Sequence, residues 1–450
     1  MKKWIGILFI AIMLVSCKTK AEEKKADANI NEDITALAKK VANAVIKDDY
    51  DAVSGYFDDE VKKGLPKDKF SEASNGLKSR LGGFKNITKI NQLKQGDYDV
   101  VLVTTEFEKA TIDIKVVFNK NKQVAGLFFL PGQAANIDYK NPSYVKIENI
   151  VEKDVTVGKG EWELKGKLTL PKDAKSVPAV VLVHGSGPND MDETILSNKP
   201  FKDIALGLAS KGIAVLRYNK RTNQHKEKII GVLKELTVKE ETIDDAILAV
   251  ELLRSTEGID KNRIFVLGHS LGGMLIPRIG LASQNIKGLI SLAGSTRPME
   301  DLMLEQITYI YSLDGTLAKD EKEHIEKLKQ EIAKLKQLDK NAKDDKPVLG
   351  AFSKYWIDLK DYKPHEVAKN LKQPLYILQG ERDYQVTMVD FNNWKESLKN
   401  NKNVYFKSYP SLNHLFFKGT GKSTPEEYSK ADHVDEQLLN DIVEWIKKIK

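Results

Sequence analysis

The sequence predicts an α/β architecture, a mostly parallel sheet covered by helices, with a small α+β domain in front. Three observations lead there. From about residue 147 onward, short apolar runs alternate with amphipathic helical patterns, as expected of a sheet buried on both faces. One of those runs, Arg263 to Leu267, ends in Gly268-His269-Ser270-Leu271-Gly272, a G-x-S-x-G placed between an apolar strand and a helix. Ahead of residue 131 the order differs, with helical spacing first and four strand-like runs after it.

Taken in order, Lys2 and Lys3 precede an apolar run, Trp4 to Val15, that is shorter than the roughly 20 residues a membrane-spanning helix needs. The stretch Leu14-Val15-Ser16-Cys17 has a small residue before the cysteine and resembles a bacterial lipobox. Residues 1–16 are therefore expected to be a lipoprotein signal peptide. Cys17 is the expected lipidation site, facing outside the cytoplasm on a bacterial membrane. It is also the chain's single cysteine, so no disulfide or thiolate metal site is expected. Residues 17–30, polar and charged, suit a flexible tether.

A small domain is expected over residues 31–131. Ile34, Leu37, Ala38, Val41, Ala42 and Val45 recur at helical spacing, and Tyr50, Val53, Tyr56 and Phe57 suggest a second helix. Strands are expected at residues 87–93, 98–107, 111–118 and 124–130. With neither His nor Cys in it, this domain is expected to serve structure or partner binding. A linker at 132–146 contains Pro142 and leads to the main domain at 147–450.

Within the main domain, residues 151–157 and 162–170 read as an antiparallel pair. Strands follow at 177–184, 213–218, 263–267, 286–293, 375–379 and 404–409, with helices at 201–211, 242–255, 272–283, 390–399 and 434–449. The stretch at about 295–369 breaks the alternation. Its Ile325, Leu328, Ile332, Leu335 and Leu338 form a helical stripe, and Glu323 is placed to pair with Lys327. It is expected to be a helical cap over the strand ends.

A serine hydroxyl is a poor nucleophile at neutral pH, so Ser270 needs a base within reach and an acid to orient that base. In hydrolases built on such an elbow the partners follow in the order serine, acid, histidine. Of seven histidines only His414 and His433 lie beyond the strand at 375–379. His414 follows the last strand in a turn, whereas His433 sits where helix capping would explain it, so His414 is the expected base. Between Glu381, placed to pair with Arg382, and Asp383, within the turn, Asp383 is the expected acid. Asp390 reads as a helix cap. Oxyanion donors are expected from the backbone N–H of Leu271 and of Ser186, with Gly187 as alternative, in His184-Gly185-Ser186-Gly187-Pro188. His184 is expected to brace that loop.

Together, His184 to Asp190, Gly268 to Gly273, Gly380 to Asp383 and Asn413-His414 resemble bacterial α/β-hydrolases of the esterase D-like and dienelactone-hydrolase-related group. The first domain resembles the NTF2-like domains found ahead of some of them. The resemblance implies an α/β-hydrolase fold and a serine carboxylesterase acting through an acyl-enzyme on small or carbohydrate-linked esters, with Ser270, Asp383 and His414 as triad. It departs at Asn219, where the group usually has Asp, and at Thr222, where it has Gly. A serine peptidase of related fold and a non-catalytic envelope-binding lipoprotein are the alternatives. No cofactor or metal is expected. The 71 basic and 64 acidic residues are interspersed, without a basic aromatic stripe, so nucleic acid is not an expected partner.

Overall fold

The computed structural model describes residues 34–95, 98–108, 111–131, 139–342 and 346–449. The signal segment, Cys17 and the tether at 17–30 lie outside the described residues. The chain forms two compact units, the smaller ending at Tyr139 and the larger running from Lys140 to Lys450.

In the smaller unit α1 (Ile34–Lys47) buries Leu37, Ala38, Val41, Ala42 and Val45 against Val101, Val103, Ile114 and Val116. The chain then reverses sharply. Asp48 takes φ 63° and the Asp49 carboxylate accepts from the Ala52 amide, so the expected second helix through Tyr50 and Phe57 is cut to one turn at Ser54–Tyr56. Tyr50 meets Phe57 and Phe70 edge to face as a result, and the two phenylalanines lie tilted against each other. Two further helices follow, α2 (Asp59–Gly64) and α3 (Lys67–Leu81). Neither is marked by a period in the sequence, since α2 is six mostly charged residues and α3 is mostly polar, with Phe70 its one fully buried large apolar residue. The strands β1 (Phe84–Gln95), β2 (Tyr98–Phe107), β3 (Thr111–Phe118) and β4 (Val124–Pro131) form an antiparallel meander in sequence order.

The larger unit contains β5 (Ile150–Val157), β6 (Leu164–Pro171), β7 (Val177–Val183), β8 (Ala214–Tyr218), β9 (Ile259–His269), β10 (Gly288–Leu292), β11 (Leu375–Gly380) and β12 (Val404–Tyr409). They form one eight-stranded sheet in the order β12-β11-β10-β9-β7-β8-β6-β5. From β8 to β12 all neighbours are parallel, and β6 joins β8 antiparallel. The strand start expected at Trp162 lies at Leu164; Trp162 is in a turn, its ring covered by Arg221 and Lys228.

The helices are α4 (Pro200–Ala209), α5 (Arg221–Gln224), α6 (Lys226–Val232), α7 (Asp244–Arg254), α8 (Leu271–Ala282), α9 (Met299–Ser312), α10 (Lys319–Lys336), α11 (Ser353–Leu359), α12 (Pro364–Val367), α13 (Met388–Leu398) and α14 (Glu436–Lys448). Alternate residues of each strand face opposite layers. On β7, Ala179, Val181 and Val183 pack with α7, α8 and α13, while Val180 and Leu182 pack with α4 and α14. Both faces are thus buried, which is why these strands read as unbroken apolar runs.

The expected cap is a helical insertion. Ile307 of α9 packs on Leu328 and Ile332 of α10, while Met303 packs with Leu335 and Trp356. On the outer surface Glu323 pairs with Lys319 rather than Lys327, the i, i−4 partner lying within reach at 3.8 Å. The insertion borders the loops at the C-terminal ends of β11 and β12. Gln306 donates to the Gln385 carbonyl (2.9 Å), Tyr309 donates to the Ser423 carbonyl (2.9 Å), and the Tyr309 ring stacks on Tyr384.

Candidate active site

Topology selects the place. The chain crosses from β7 to β8 on one side, then returns to β9 on the other side of β7. Loops leaving β7 and β9 therefore diverge, opening a crevice at the C-terminal edge of the sheet, where ligands of such sheets bind. Register brings the strand ends level, with Val183 beside Gly268, Leu292 beside His269 and Leu378, and Gly380 beside Tyr409.

Ser270 stands between β9 and α8 with φ 53° and ψ −114°, a conformation side-chain-bearing residues rarely adopt. The glycines around it are needed for close approach. A Cβ on Gly268 would fall 2.2 Å from the Gly272 carbonyl oxygen, and one on Gly272 would fall 2.3 Å from that of Val183. The elbow is therefore compressed between strands β7 and β9, which forces Ser270 outward at the sheet edge. The amide of Leu271 is the first of α8 and has no preceding turn to accept it.

Asp383 and His414 come together from adjacent loops. His414 Nδ1 lies 2.6 Å from Asp383 Oδ2, and both residues are buried. The carboxylate accepts only, so Nδ1 carries the proton and Nε2 is left as the basic nitrogen. Asp383 is fixed by four donors. Its Oδ1 accepts from the Gln385 and Val386 amides (2.7 and 3.0 Å) and its Oδ2 also from Gln379 Nε2 (3.1 Å). The His414 turn is fixed by Asn413, whose side chain accepts from the Leu415 and Phe417 amides.

Neighbouring acids take other roles than the sequence suggested. Glu381 accepts from Ser408 rather than pairing with Arg382, which instead pairs with Glu427 and donates to the Gly421 carbonyl. That clamp ties the Asp383 loop to the segment after His414. Asp390 is no cap. It is fully buried in the first turn of α13, where it pairs with Arg297 (2.7 Å) and accepts from the Thr296 amide (2.8 Å), fastening the start of the insertion. His433 lies 3.2 Å from Asp203, and the N-cap of α14 is Asp435, which accepts from the Gln437 amide.

The loop after β7 carries Ser186. His184 is buried between Phe201 and Tyr218, with its Nε2 3.0 Å from the Asp190 carbonyl oxygen. Burial lowers its pKa to about 4, which keeps the ring neutral as a brace. The Gly185 amide is committed to Glu193 Oε1 (2.8 Å), which makes Ser186 the next amide along this loop. Asn219 accepts from the Met191 amide and donates to Gln224, so it joins this loop to the one after β8. Glu193 was not singled out from sequence, because its partners are distant in the chain. His269 was hidden in the variable position of the motif. Cys17 lies outside the described residues. Among those residues no cluster of three or more His, Cys, Asp or Glu is placed to hold a metal, and no helix is long and apolar enough to cross a membrane.

Sequence profiles match parts of both units. A family profile described as "Serine aminopeptidase, S33" matches residues 175–420, and one described as "Protein of unknown function (DUF3887)" matches residues 38–127. Esterase EstD of Thermotoga maritima is 43% identical over 389 residues, 86% of this chain and 89% of that protein. Among solved structures, an acylaminoacyl peptidase of Pyrococcus horikoshii is 18% identical with a TM-score of 0.46. The alignment covers 82% of this chain and spans about half, 51%, of the peptidase. A Pyrococcus furiosus esterase is 17% identical with a TM-score of 0.43, over 67% of this chain and 92% of that one. The chain thus belongs to the serine aminopeptidase S33 family of serine hydrolases and is a homologue of Esterase EstD.

Proposed function

We propose that the protein is a serine carboxylesterase working through Ser270, His414 and Asp383. The observation that carries this is the 2.6 Å contact of His414 Nδ1 with Asp383 Oδ2, taken with a serine on a strained strand-to-helix turn whose preceding residue, His269, contacts the His414 carbonyl. His414 Nε2 takes the proton as Ser270 Oγ attacks the acyl carbonyl. The resulting oxyanion is held by the Leu271 and Ser186 amides. Collapse expels the alcohol, which receives its proton from His414, and leaves an acyl-enzyme. Water, activated by the same imidazole, attacks that ester, and the released carboxylic acid frees Ser270.

The proposed substrate class is small or carbohydrate-linked acyl esters, supported by kinship with a protein named esterase. The family profile bears the name of an aminopeptidase, which favours peptide hydrolysis as the second reading. The two separate on substrate. Purified protein should hydrolyse p-nitrophenyl acetate and butyrate and spare aminoacyl p-nitroanilides; the opposite preference would make it a peptidase. Fluorophosphonate should label wild type and not Ser270→Ala, and a folded wild type that stays unlabelled would leave only the non-catalytic binding role.

The small domain is proposed as an NTF2-like module without a catalytic part. Residues 1–16 are proposed to direct export and Cys17 to carry the lipid that holds the enzyme on the outer side of a membrane. Metabolic labelling with a fatty acid should mark the wild type and not Cys17→Ser.

A further inference from the structure

Two buried residues outside the triad touch both halves of the site. Glu193 is 3% exposed and takes φ 51°, a left-handed conformation that is strained for a residue with a side chain. It is held there by a turn, its amide donating to the Asp190 carbonyl, and by the Asp190 carboxylate accepting from the Thr194 amide. That turn aims the Glu193 carboxylate inward. Oε1 accepts from the Gly185 amide at 2.8 Å, and Oε2 lies 3.0 Å from His269 Nδ1. The other nitrogen of His269, Nε2, lies 2.9 Å from the carbonyl oxygen of His414.

Both partners of His269 are acceptors. A neutral imidazole has one N–H and would set a lone pair against either the carboxylate or the carbonyl. A ring carrying both protons meets both acceptors and forms an ion pair with the ionised Glu193. Burial disfavours a charge on His269, yet the Glu193 charge outweighs it and raises the histidine above its ordinary value. Burial likewise opposes the Glu193 charge, and His269 overcomes it, holding the carboxyl below its usual range. The Nδ1–Oε2 contact is a charge–charge contact rather than an aligned hydrogen bond, since neither atom meets hydrogen-bond geometry.

Building on the esterase reading above, we infer that Glu193 and His269 are positioning residues for the reaction, an ion pair that fixes the oxyanion loop and the His414 backbone to each other. Gly185 is gripped at both ends, its amide by Glu193 and its carbonyl by Lys220 Nζ at 2.8 Å. It also lies directly against the nucleophile, where a methyl on its Cα would come 3.1 Å from Ser270 Cβ. A shift of this loop would move the Ser186 amide relative to Ser270. At the other end, releasing the His414 carbonyl would let the base turn drift from the serine. The pair spans these two loops across the residue that precedes Ser270, so one carboxylate sets the spacing of donor, nucleophile and base.

The test uses full-length protein, with competent sites counted by fluorophosphonate titration and kcat and KM measured on p-nitrophenyl acetate. Glu193→Ala is expected to lower kcat per titrated site by about 10²-fold with KM little changed, the size expected for a misplaced oxyanion donor. Glu193→Gln keeps the acceptor for the Gly185 amide and the side-chain shape but loses the charge, so it should recover part of that loss. It also keeps the test decisive if the alanine variant does not fold. His269→Phe should slow fluorophosphonate labelling as well as turnover. Unchanged kcat per titrated site in Glu193→Gln and His269→Phe, or a loss seen only as fewer competent sites or a higher KM, would overturn the inference. An unlabelled wild type would instead remove the esterase reading on which it rests.

Discussion

His414 and Asp383 meet at 2.6 Å although they stand on separate loops, one following β12 and the other following β11. The two strands are parallel neighbours with Gly380 level with Tyr409, so the loops leave the sheet side by side. The Asp383 carboxylate is held on both oxygens before the histidine reaches it. Its Asn replacement keeps the volume but offers Nδ1 an amide in either orientation and weakens the preference for the productive tautomer. Asp383→Asn is expected to lower kcat/KM on p-nitrophenyl acetate by about 10³ to 10⁴-fold with an unchanged circular dichroism spectrum. A loss below about tenfold would show that another acid serves His414.

Asp390 fastens the start of the insertion to α13. Its Oδ1 accepts from the Thr296 and Arg297 amides and from Thr296 Oγ1, and its Oδ2 pairs with Arg297. Removing it leaves the Thr296 and Arg297 amides without their acceptor, while the part-exposed Arg297 guanidinium keeps Glu305 as partner. Asp390→Ala should cost about 2–3 kcal/mol in urea unfolding. Trypsin should also cleave sooner within residues 295–369, and equal cleavage times in variant and wild type would remove the anchoring role.

His184 makes stability depend on pH. Its pKa falls to about 4 in the folded protein because burial disfavours the charge. The unfolded chain then binds the extra proton, so this contribution is complete above about pH 6.5 and is lost as pH falls towards about 4. The loss between pH 8 and pH 5 amounts to about 2 kcal/mol. His269, raised by Glu193, contributes in the opposite sense, its stabilisation being present below about pH 6.5 and lost above its folded value. His184→Gln should flatten the acid side of the urea-midpoint profile. An acid limb as steep as that of wild type would assign it to other groups.

The smaller unit has its own core around Leu37, Val41, Val101 and Ile114. A chain starting at Lys140 should therefore fold and keep kcat on soluble esters within about threefold of full length, as expected of separate domains. A fall in kcat matching any fall in affinity would give the small unit a part in catalysis.

The parallel strands were legible because both their faces are buried, and such strands keep their apolar runs whatever packs on them. Ser270 was legible for a local reason, since the turn needs glycines at Gly268 and Gly272 for close approach and leaves a motif within five residues. Chain order narrowed the histidine to His414 or His433 and the acid to Glu381 or Asp383, and position in a turn after a strand chose His414 and Asp383. α3 was not legible, for its buried stripe is too thin to show a period, and the second helix at Tyr50 failed because Asp48 and Asp49 turn the chain there.

Short-range pattern thus determined the strands of the sheet and the serine turn, because periodicity and steric demand act between residues close in the chain. Pairing was decided in three dimensions. Glu193 finds His269 and Gly185, Asp390 finds Arg297, and Arg382 finds Glu427 rather than Glu381. A carboxylate carries no mark of its partner in sequence. Which cation or amide it meets depends on strand order and register, and burial then makes the partner it meets obligatory.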